Sequence, residues 1–358
     1  MDKVVIGMSG GVDSAVAASI LLEKGFEVEA VFMKNWEDES EFCTSASDYN
    51  DALQVCDRLN IRLHSVNFTR EYWDRVFESF LEEHKKGRTP NPDILCNTEI
   101  KFREFLNYAL DLGASKIATG HYVRRTSVGE KVILKKGIDE RKDQSYFLYG
   151  LNQKQISDSI FPLGDFTKEK VRLKAKELGF YNYNKKDSVG ICFIGKRNFK
   201  DFIKRYLPLE PGSMKTTNGD FVGEHDGLMY YTIGQRKGLG IGGGFSELSE
   251  PWYVVGKDLT NNELIVCQGR SNSALYHRYV QCSELNWIAG SPPSKRGLSA
   301  KVRYRSKDKS CTIISLNNDK IGLEFKEPCF GLTPGQSVVL YDQEICLGGA
   351  VIDSYYNE

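Results

Sequence analysis

Ten residues near the start, Met8 to Ala17 (MSGGVDSAVA), constrain the fold more than any other stretch. They join a short apolar run, residues 3–6 (KVVI), to small apolar residues that end at Lys24-Gly25. The first run reads as a buried strand. The second, Ala15 to Leu22, reads as a helix that is apolar on nearly all sides, with lysine then glycine as its stop signal. A turn between a first strand and a first helix lies where a parallel sheet opens its binding crevice. Glycines there let the backbone approach an anion, free N–H groups at the helix start point at it, and the helix dipole favours its charge. Ser9 and Ser14 add hydroxyl donors. No GxxxxGK[ST] occurs and no GxGxxG stands at this turn, so neither a P-loop kinase or GTPase nor a dinucleotide fingerprint is supported. The plain alternative is a tight turn with no ligand.

Residues 28–33, 61–66 and 115–119 read as further strands, and segments near 47–60, 70–86, 98–112 and 167–178 as helices. That alternation predicts a doubly wound parallel α/β sheet with helices on both faces. From about residue 210 short β-type runs and turn signals dominate (YYTIG, WYVVG, ELIVC, YHRYVQC, LSAKVRYR, CTIISL, IGLEF, QSVVLY), which predicts a small β-rich central domain and a C-terminal β-barrel. The expected boundaries are 1–205, 206–272 and 273–358. Lys+Arg and Asp+Glu both number 48, so any nucleic-acid footprint must be local. Mean hydropathy is −0.40 and no long apolar run occurs, so no membrane span is expected. The start, MDKVVIGMSGG, has neither a signal-peptide nor a transit pattern, and a cytoplasmic protein is expected.

Nine cysteines, an odd number without any CxxC pair, argue against a zinc site or a disulfide framework. Most read as buried small hydrophobes. Two stand in special contexts. In Thr89-Pro90-Asn91-Pro92-Asp93-Ile94-Leu95-Cys96-Asn97 two prolines are expected to hold the chain extended. Cys96 then falls beside the start of the following helix, where a thiolate is stabilised. Asp93, three residues before it, can reach a substrate proton. In Asp187 to Gly195 (DSVGICFIG) small neighbours leave Cys192 accessible on a loop.

SGGVDS resembles the pyrophosphate loop of the ATP-pyrophosphatases, which pass AMP to a carbonyl or amide oxygen. Together with TPNPDILCN, ATGHY (118–122), KDQSYFL (142–148), DSVGICFIG and YTIGQRKGLGIGG (231–243), the chain resembles the tRNA-specific 2-thiouridylase family over nearly its whole length. The resemblance implies ATP binding by Gly7, Met8, Ser9, Gly10, Gly11, Val12, Asp13 and Ser14, with Met33 and Gly120 near the adenosine. It implies contact of Asn91, Pro92 and Asp93 with a flipped target uridine, the wobble base U34. Cys192 would carry the incoming sulfur as a persulfide, Cys96 would be the partner thiol and Asp93 the general acid/base. His121, Lys142, Asp143, Gln144, Arg303, Tyr304 and Gln336 match tRNA-contacting positions. Mg²⁺ would accompany ATP without a protein metal site, and a cysteine desulfurase or sulfur-carrier protein would deliver sulfur to the persulfide. The activity implied is replacement of the C2 oxygen by sulfur to give 2-thiouridine.

Basic residues cluster at 196–205 (Lys196, Arg197, Lys200, Lys204, Arg205) and at 295–309. The alternation Lys301, Arg303, Arg305, Lys307 predicts a strand with four cations on one face, a phosphate-facing surface. His64, His84, His225 and His277 read as surface or structural, and Trp36-Glu37-Asp38-Glu39 as a solvated loop. Two rival functions remain: another ATP-pyrophosphatase, amidating or lysidine-forming, which needs neither cysteine, and a non-catalytic adenine-nucleotide binder.

Overall fold

The structure, a computed structural model, describes residues 2–37, 45–186, 199–242, 250–294, 297–317 and 319–357. Cys192 and the rest of DSVGICFIG lie outside the described residues, as do Cys43, Asp38, Glu39, Lys196, Arg197, Lys295 and Arg296. The strands run in chain order as β1 (Lys3–Gly7), β2 (Glu27–Lys34), β3 (Leu63–Asn67), β4 (Lys116–Ala118), β5 (Val123–Val128), β6 (Lys131–Lys136) and β7 (Ser159–Ile160). They continue as β8 (Gly212–Thr216), β9 (Phe221–His225), β10 (Trp252–Asp258), β11 (Glu263–Gln268), β12 (Tyr276–Trp287), β13 (Gly297–Lys301), β14 (Lys309–Leu316), β15 (Ile321–Phe330), β16 (Ser337–Asp342) and β17 (Ile345–Tyr356).

The first sheet is parallel throughout, in the order β3-β2-β1-β4-β7. The chain builds outward from β1 to one edge, then returns to add β4 on its other side. That reversal opens a crevice at the C-terminal ends of β1 and β4. The helix Val12–Glu23 is buried along Val12 to Leu21, because it packs between the sheet and the helix Lys168–Glu177, whose Val171 and Ala175 join the same core. A stripe of apolar residues on one side would not serve such a position; an all-round apolar helix does.

A four-stranded sheet, β10-β11-β8-β9, forms the middle of the chain. The order β12-β15-β14-β13-β16-β17, with β17 pairing back to β12, closes a six-stranded barrel. Among the described residues no helix is long and apolar enough to cross a membrane.

Several elements differ from the sequence expectations. Strand and helix do not alternate without interruption, because β5 and β6 form a hairpin between β4 and β7 whose partner is β17 of the barrel. A two-residue turn with Gly129 at φ +62° makes the hairpin, and its alternation was masked by the charged residues around it. The run YYTIG is not a strand; a 3₁₀ turn (Leu228–Tyr230) leads into a bend at Gly234, φ +81°. The basic alternation at 301–307 is not on a strand either. β13 ends at Lys301, and the chain turns through Arg305 at φ +64°. Trp36 is no solvated loop residue: its ring stacks on Trp73 (5.7 Å) and meets Phe77 edge-on (4.8 Å).

Lys301 instead serves the joint between the hairpin and the barrel. Its ammonium lies 3.0 Å from the carboxylate of Asp143, and both side chains are nearly inaccessible. Asp143 also accepts from the backbone N–H groups of Gly137 and Ser145. Removing one partner of a buried pair strands the other charge, at a cost of about 3 kcal/mol or more. Lys301→Ala is therefore expected to lower the urea midpoint of the barrel, followed by tyrosine fluorescence, while Lys301→Ala/Asp143→Asn recovers part of the loss.

Candidate active site

The loop after β1 is shaped by two glycines and two serines. Gly10 sits at φ +73°, and a Cβ there would lie 2.3 Å from the Asp48 carbonyl oxygen, so only glycine fits. Asn182 Nδ2 donates to the Gly10 oxygen (3.1 Å), and Lys185 ties Asp48 and Asp51 behind it. Ser14 Oγ accepts from Ser9 N (3.2 Å) and donates to the Gly11 oxygen (3.1 Å). Gly11 is the N-cap, extended and without a side-chain cap, so the first-turn N–H groups of the helix face outward with only solvent or a ligand to satisfy them. Gly7 and Met33 are neighbours, since a Cβ on Gly7 would lie 3.1 Å from Met33 Cε. Gly120, after β4, closes the other side: a Cβ there would meet Ser14 N and Asp13 C at 3.1 Å. These features make a cradle that fits a polyphosphate.

Asp13 faces away from the cradle. Its carboxylate accepts from Tyr122 Oη (2.6 Å) and from Lys168 Nζ at both oxygens (2.8 and 2.7 Å). Lys168, Asn182 and Lys185 were not singled out from sequence, and Tyr122 only as the last residue of ATGHY. Each acts through a contact more than 100 residues away along the chain, which leaves no local signal of its role.

The second half of the site is the helix of residues 92–111. Here the expectation of an extended, proline-held stretch fails. Pro92 takes the first helical position, where its fixed φ suits a helix and its missing N–H costs nothing. Asn91 is the N-cap, its Oδ1 accepting from Asp93 N (3.2 Å). Cys96 therefore lies inside the helix, 2% exposed, three residues from Asp93 and on the same face. The turns from Cys96 to Glu104 are π-wound, a geometry frequent at functional sites. Burial raises the Asp93 carboxyl above the ordinary aspartate range, opposed only in part by Lys101. Lys101 Nζ donates to Asn97 Oδ1 (3.0 Å). The six other cysteines among the described residues are all buried, and burial pushes their thiols up, Cys56, Cys311 and Cys329 to about 12.

His121 links the two halves. It follows Gly120, its Nδ1 lies 2.7 Å from Thr119 Oγ1, and its ring is 5.8 Å from Phe102 on the helix of residues 92–111. Burial, helped by the Lys101 charge, holds its pKa well below the usual histidine value. Asn97 Nδ2 reaches the Phe147 oxygen (3.1 Å), and the Phe147 ring lies 4.3 Å from Tyr304. Lys142, Asp143 and Gln144 precede that segment, with Gln144 Oε1 accepting from Tyr122 N (3.0 Å). Gln336 Nε2 donates to the Thr89 oxygen (2.7 Å). Arg303 is committed inside the protein, its Nη2 donating to the oxygens of Ile233 (2.7 Å) and Gly331 (2.6 Å) and to Thr333 Oγ1 (2.9 Å). Among the described residues no group of three or more His, Cys, Asp or Glu is placed to hold a metal ion.

Three family models cover the chain in order: a tRNA methyl transferase HUP domain over residues 2–196, a tRNA methyl transferase PRC-barrel domain over 200–268, and an aminomethyltransferase beta-barrel domain over 277–352. The tRNA-specific 2-thiouridylase MnmA of Histophilus somni is 56% identical over 98% of this chain and 93% of its own length. That of Salmonella typhimurium is 55% identical over 98% and 96%. The chain belongs to the tRNA-specific 2-thiouridylase family. Among solved structures, the U34-tRNA thiolase NcsA of Methanococcus maripaludis overlaps loosely, with a TM-score of 0.36, 18% identity, and 58% of this chain and 67% of that one covered. In this family member the SGGVDS loop and the Asp93–Cys96 helix stand on either side of Gly120-His121.

Because the folded protein raises the Asp93 pKa, this group favours folding below its unfolded pKa and loses that contribution as pH rises through the folded one. Asp93→Asn is therefore expected to be more thermostable than the parent at pH 7, with the difference shrinking towards pH 4. Melting curves across that range check the sign. Lys168→Met is expected to strand Asp13 and weaken ATP binding about tenfold or more, read by nucleotide titration.

Proposed function

We propose that this chain replaces the C2 oxygen of the wobble uridine (U34) in tRNA with sulfur, using ATP. The observation that carries the proposal is the continuous path from the glycine cradle, through Gly120 and His121, to Lys101 and Asp93 on the helix that bears Cys96. An amidating or lysidine-forming enzyme would need the cradle but not a buried thiol one helical turn from a carboxyl of raised pKa.

ATP is a substrate in this scheme and supplies the AMP that turns the uracil O2 into a leaving group. The Gly7 to Ser14 loop binds its phosphates through backbone N–H groups and the hydroxyls of Ser9 and Ser14, and Met33 and Gly120 border the adenosine. Mg²⁺ enters held on the nucleotide's phosphates. Asn91, Pro92 and Asp93 hold the base once it has left its stack. Asp93, protonated more readily than an ordinary aspartate, moves a proton at the reacting base.

Cys192 carries a persulfide whose outer sulfur attacks C2, and AMP departs with the former O2. The Cys96 thiolate then attacks the Cys192 Sγ, breaking the S–S bond. The electron pair of that bond goes to the sulfur left on the base, which becomes the thiocarbonyl. A Cys96–Cys192 disulfide remains, and an external dithiol reduces it. A cysteine desulfurase or sulfur-carrier protein recharges Cys192. We assign residues 1–205 to the chemistry, 206–272 to the central domain and 273–358 to a barrel that meets the tRNA, with Lys142, Gln144, Tyr304 and Gln336 at the RNA boundary and the buried His121 and Asp143 and the part-buried Arg303 holding that boundary from within the fold. The cytosol is the compartment where these substrates meet.

Incubation with ATP, Mg²⁺, a persulfide donor and unmodified tRNA is expected to yield 2-thiouridine, detected in nucleoside digests by mass spectrometry. Cys192→Ser and Cys96→Ser are each expected to abolish it, and Asp93→Asn to slow it by roughly 10²–10⁴-fold. Thiolation that survives both cysteine substitutions would refute the two-thiol mechanism.

A further inference from the structure

The face of the helix of residues 92–111 that carries Asp93 continues through Asn97 to Lys101, at steps of four residues. Four α-helical steps overshoot a full turn by about 40°. The wider π turns from Cys96 onward work against that drift, so Lys101 stays in line with Asp93 and Asn97. Its ammonium is anchored there. Lys101 Nζ donates to Asn97 Oδ1 (3.0 Å), and the buried Asn97 donates its Nδ2 to the Phe147 oxygen (3.1 Å). We propose that Lys101 is a positioning residue for the proton transfer at the target uridine: held on Asn97, its ammonium keeps Asp93 as the carboxylate that accepts a proton and keeps His121 uncharged. The proposal rests on the thiolation function above and deepens it.

Charge and burial in this corner favour that role. Burial drives the Asp93 carboxyl towards its protonated form, and the Lys101 charge acts against it. The same charge adds to burial in disfavouring a second proton on His121, whose ring stands 5.8 Å from that of Phe102, next to Lys101 in the chain. Neighbouring ions are occupied with one another. Arg75, from the segment Trp73–Phe77 packed against this helix, pairs with Glu104 and also feels Glu99 and, from the segment Thr69–Tyr72, Glu71. Arg103 pairs with Glu99 (2.6 Å). On the Ser145–Leu148 side the nearest titratable group is Tyr146; burial pushes its hydroxyl up, and its Oη donates to the Ser337 oxygen (3.0 Å).

Adenylation of the base needs a proton acceptor. Uracil O2 attacks the α-phosphorus of ATP while the N3 proton passes to an Asp93 oxygen. The O2–phosphorus bond forms, and pyrophosphate leaves with the electron pair of the bond that breaks. The proton returns from Asp93 to N3 when the S–S bond to Cys192 breaks and the thiocarbonyl forms. A protonated Asp93 cannot take the first proton, so the carboxylate must be present before the base is adenylated. Burial opposes that form, and a fixed cation on the same helix face favours it.

The test follows single-turnover formation of 2-thiouridine between pH 5 and pH 9, with the full chain, ATP, a persulfide donor and unmodified tRNA. Lys101→Met keeps an apolar stem and removes the charge. Its rate is expected to fall roughly tenfold at pH 5 and little at pH 9, because the acid limb of the profile moves to higher pH when the opposing charge is lost. Lys101→Arg is expected to restore most of the rate at pH 5, and KM for ATP and for tRNA stays near the parent value in both variants. In an Asp93→Asn background, Lys101→Met is expected to cost nothing more. Where Lys101→Met folds poorly, Lys101→Gln takes its place. A loss of equal size at every pH, or one that persists in full in the Asp93→Asn background, overturns the proposal. So does a change confined to KM for tRNA, which would make Lys101 a phosphate contact. If the parent forms no 2-thiouridine on any tRNA, the proposed function fails, and carbon NMR of the Asp93 carboxyl still decides the role of Lys101. Its titration is expected to move to higher pH in Lys101→Met, and an unmoved titration overturns the proposal.

Discussion

The position of β1 between β2 and β4 organises everything that follows in this chain. Reversal of the build direction at β1 puts two loops face to face, residues 8–11 and 119–122. Asp13 supplies the fixed point. Its carboxylate is shared by Tyr122, which leaves β4, and by Lys168, which begins the helix covering the first one. One half-buried, charge-assisted contact thus ties the two lips of the crevice and the helix behind them. The loop backbone is left free to face a ligand.

A second constraint acts at residues 83–90. Arg88 pairs with Glu83 and Asp353, Thr89 N donates to the Pro334 oxygen, Gln336 returns a bond to the Thr89 oxygen, and Lys257 Nζ caps the Gly87 oxygen. Burial lowers the Lys257 pKa to about 8. Barrel and middle sheet therefore grip one strap, and that strap ends at the N-cap of the helix bearing Asp93 and Cys96. The barrel is therefore coupled to the helix start through hydrogen bonds rather than through a deformable core. This gives Gln336 a positioning part that a purely surface contact would not have.

The parallel sheet, the first helix and the barrel strands were legible because each repeats a local period. The β5–β6 hairpin was not, since its alternation is diluted by Arg124, Arg125, Lys131 and Lys135, and its partner, β17, lies more than 200 residues on. The cradle and the Asp93–Cys96 pair were legible from motifs. The helical setting of Cys96 was not: proline at a first helical turn and proline in an extended segment share a φ, and only Asn91 capping Asp93 separates the two. Lys168 was invisible for a plainer reason, because an ion pair across 155 residues leaves no pattern in a single sequence.

The basic residues of the barrel teach the same lesson in charge. Four cations spaced by two look like one face only if the strand continues, and this one ends at Lys301. After that the residues divide by burial. Lys301 and Arg303 are spent inside the fold, one on Asp143 and one on three acceptors around Gly331. Arg305 and Lys307 remain exposed on the turn, beside Tyr304 and hence beside Phe147 and Asn97. A neutral protein can meet a polyanion with few free cations if they stand at the mouth of the site. The alternation is thus a structural joint through its first two members and an exposed pair of cations beside Tyr304 through its last two.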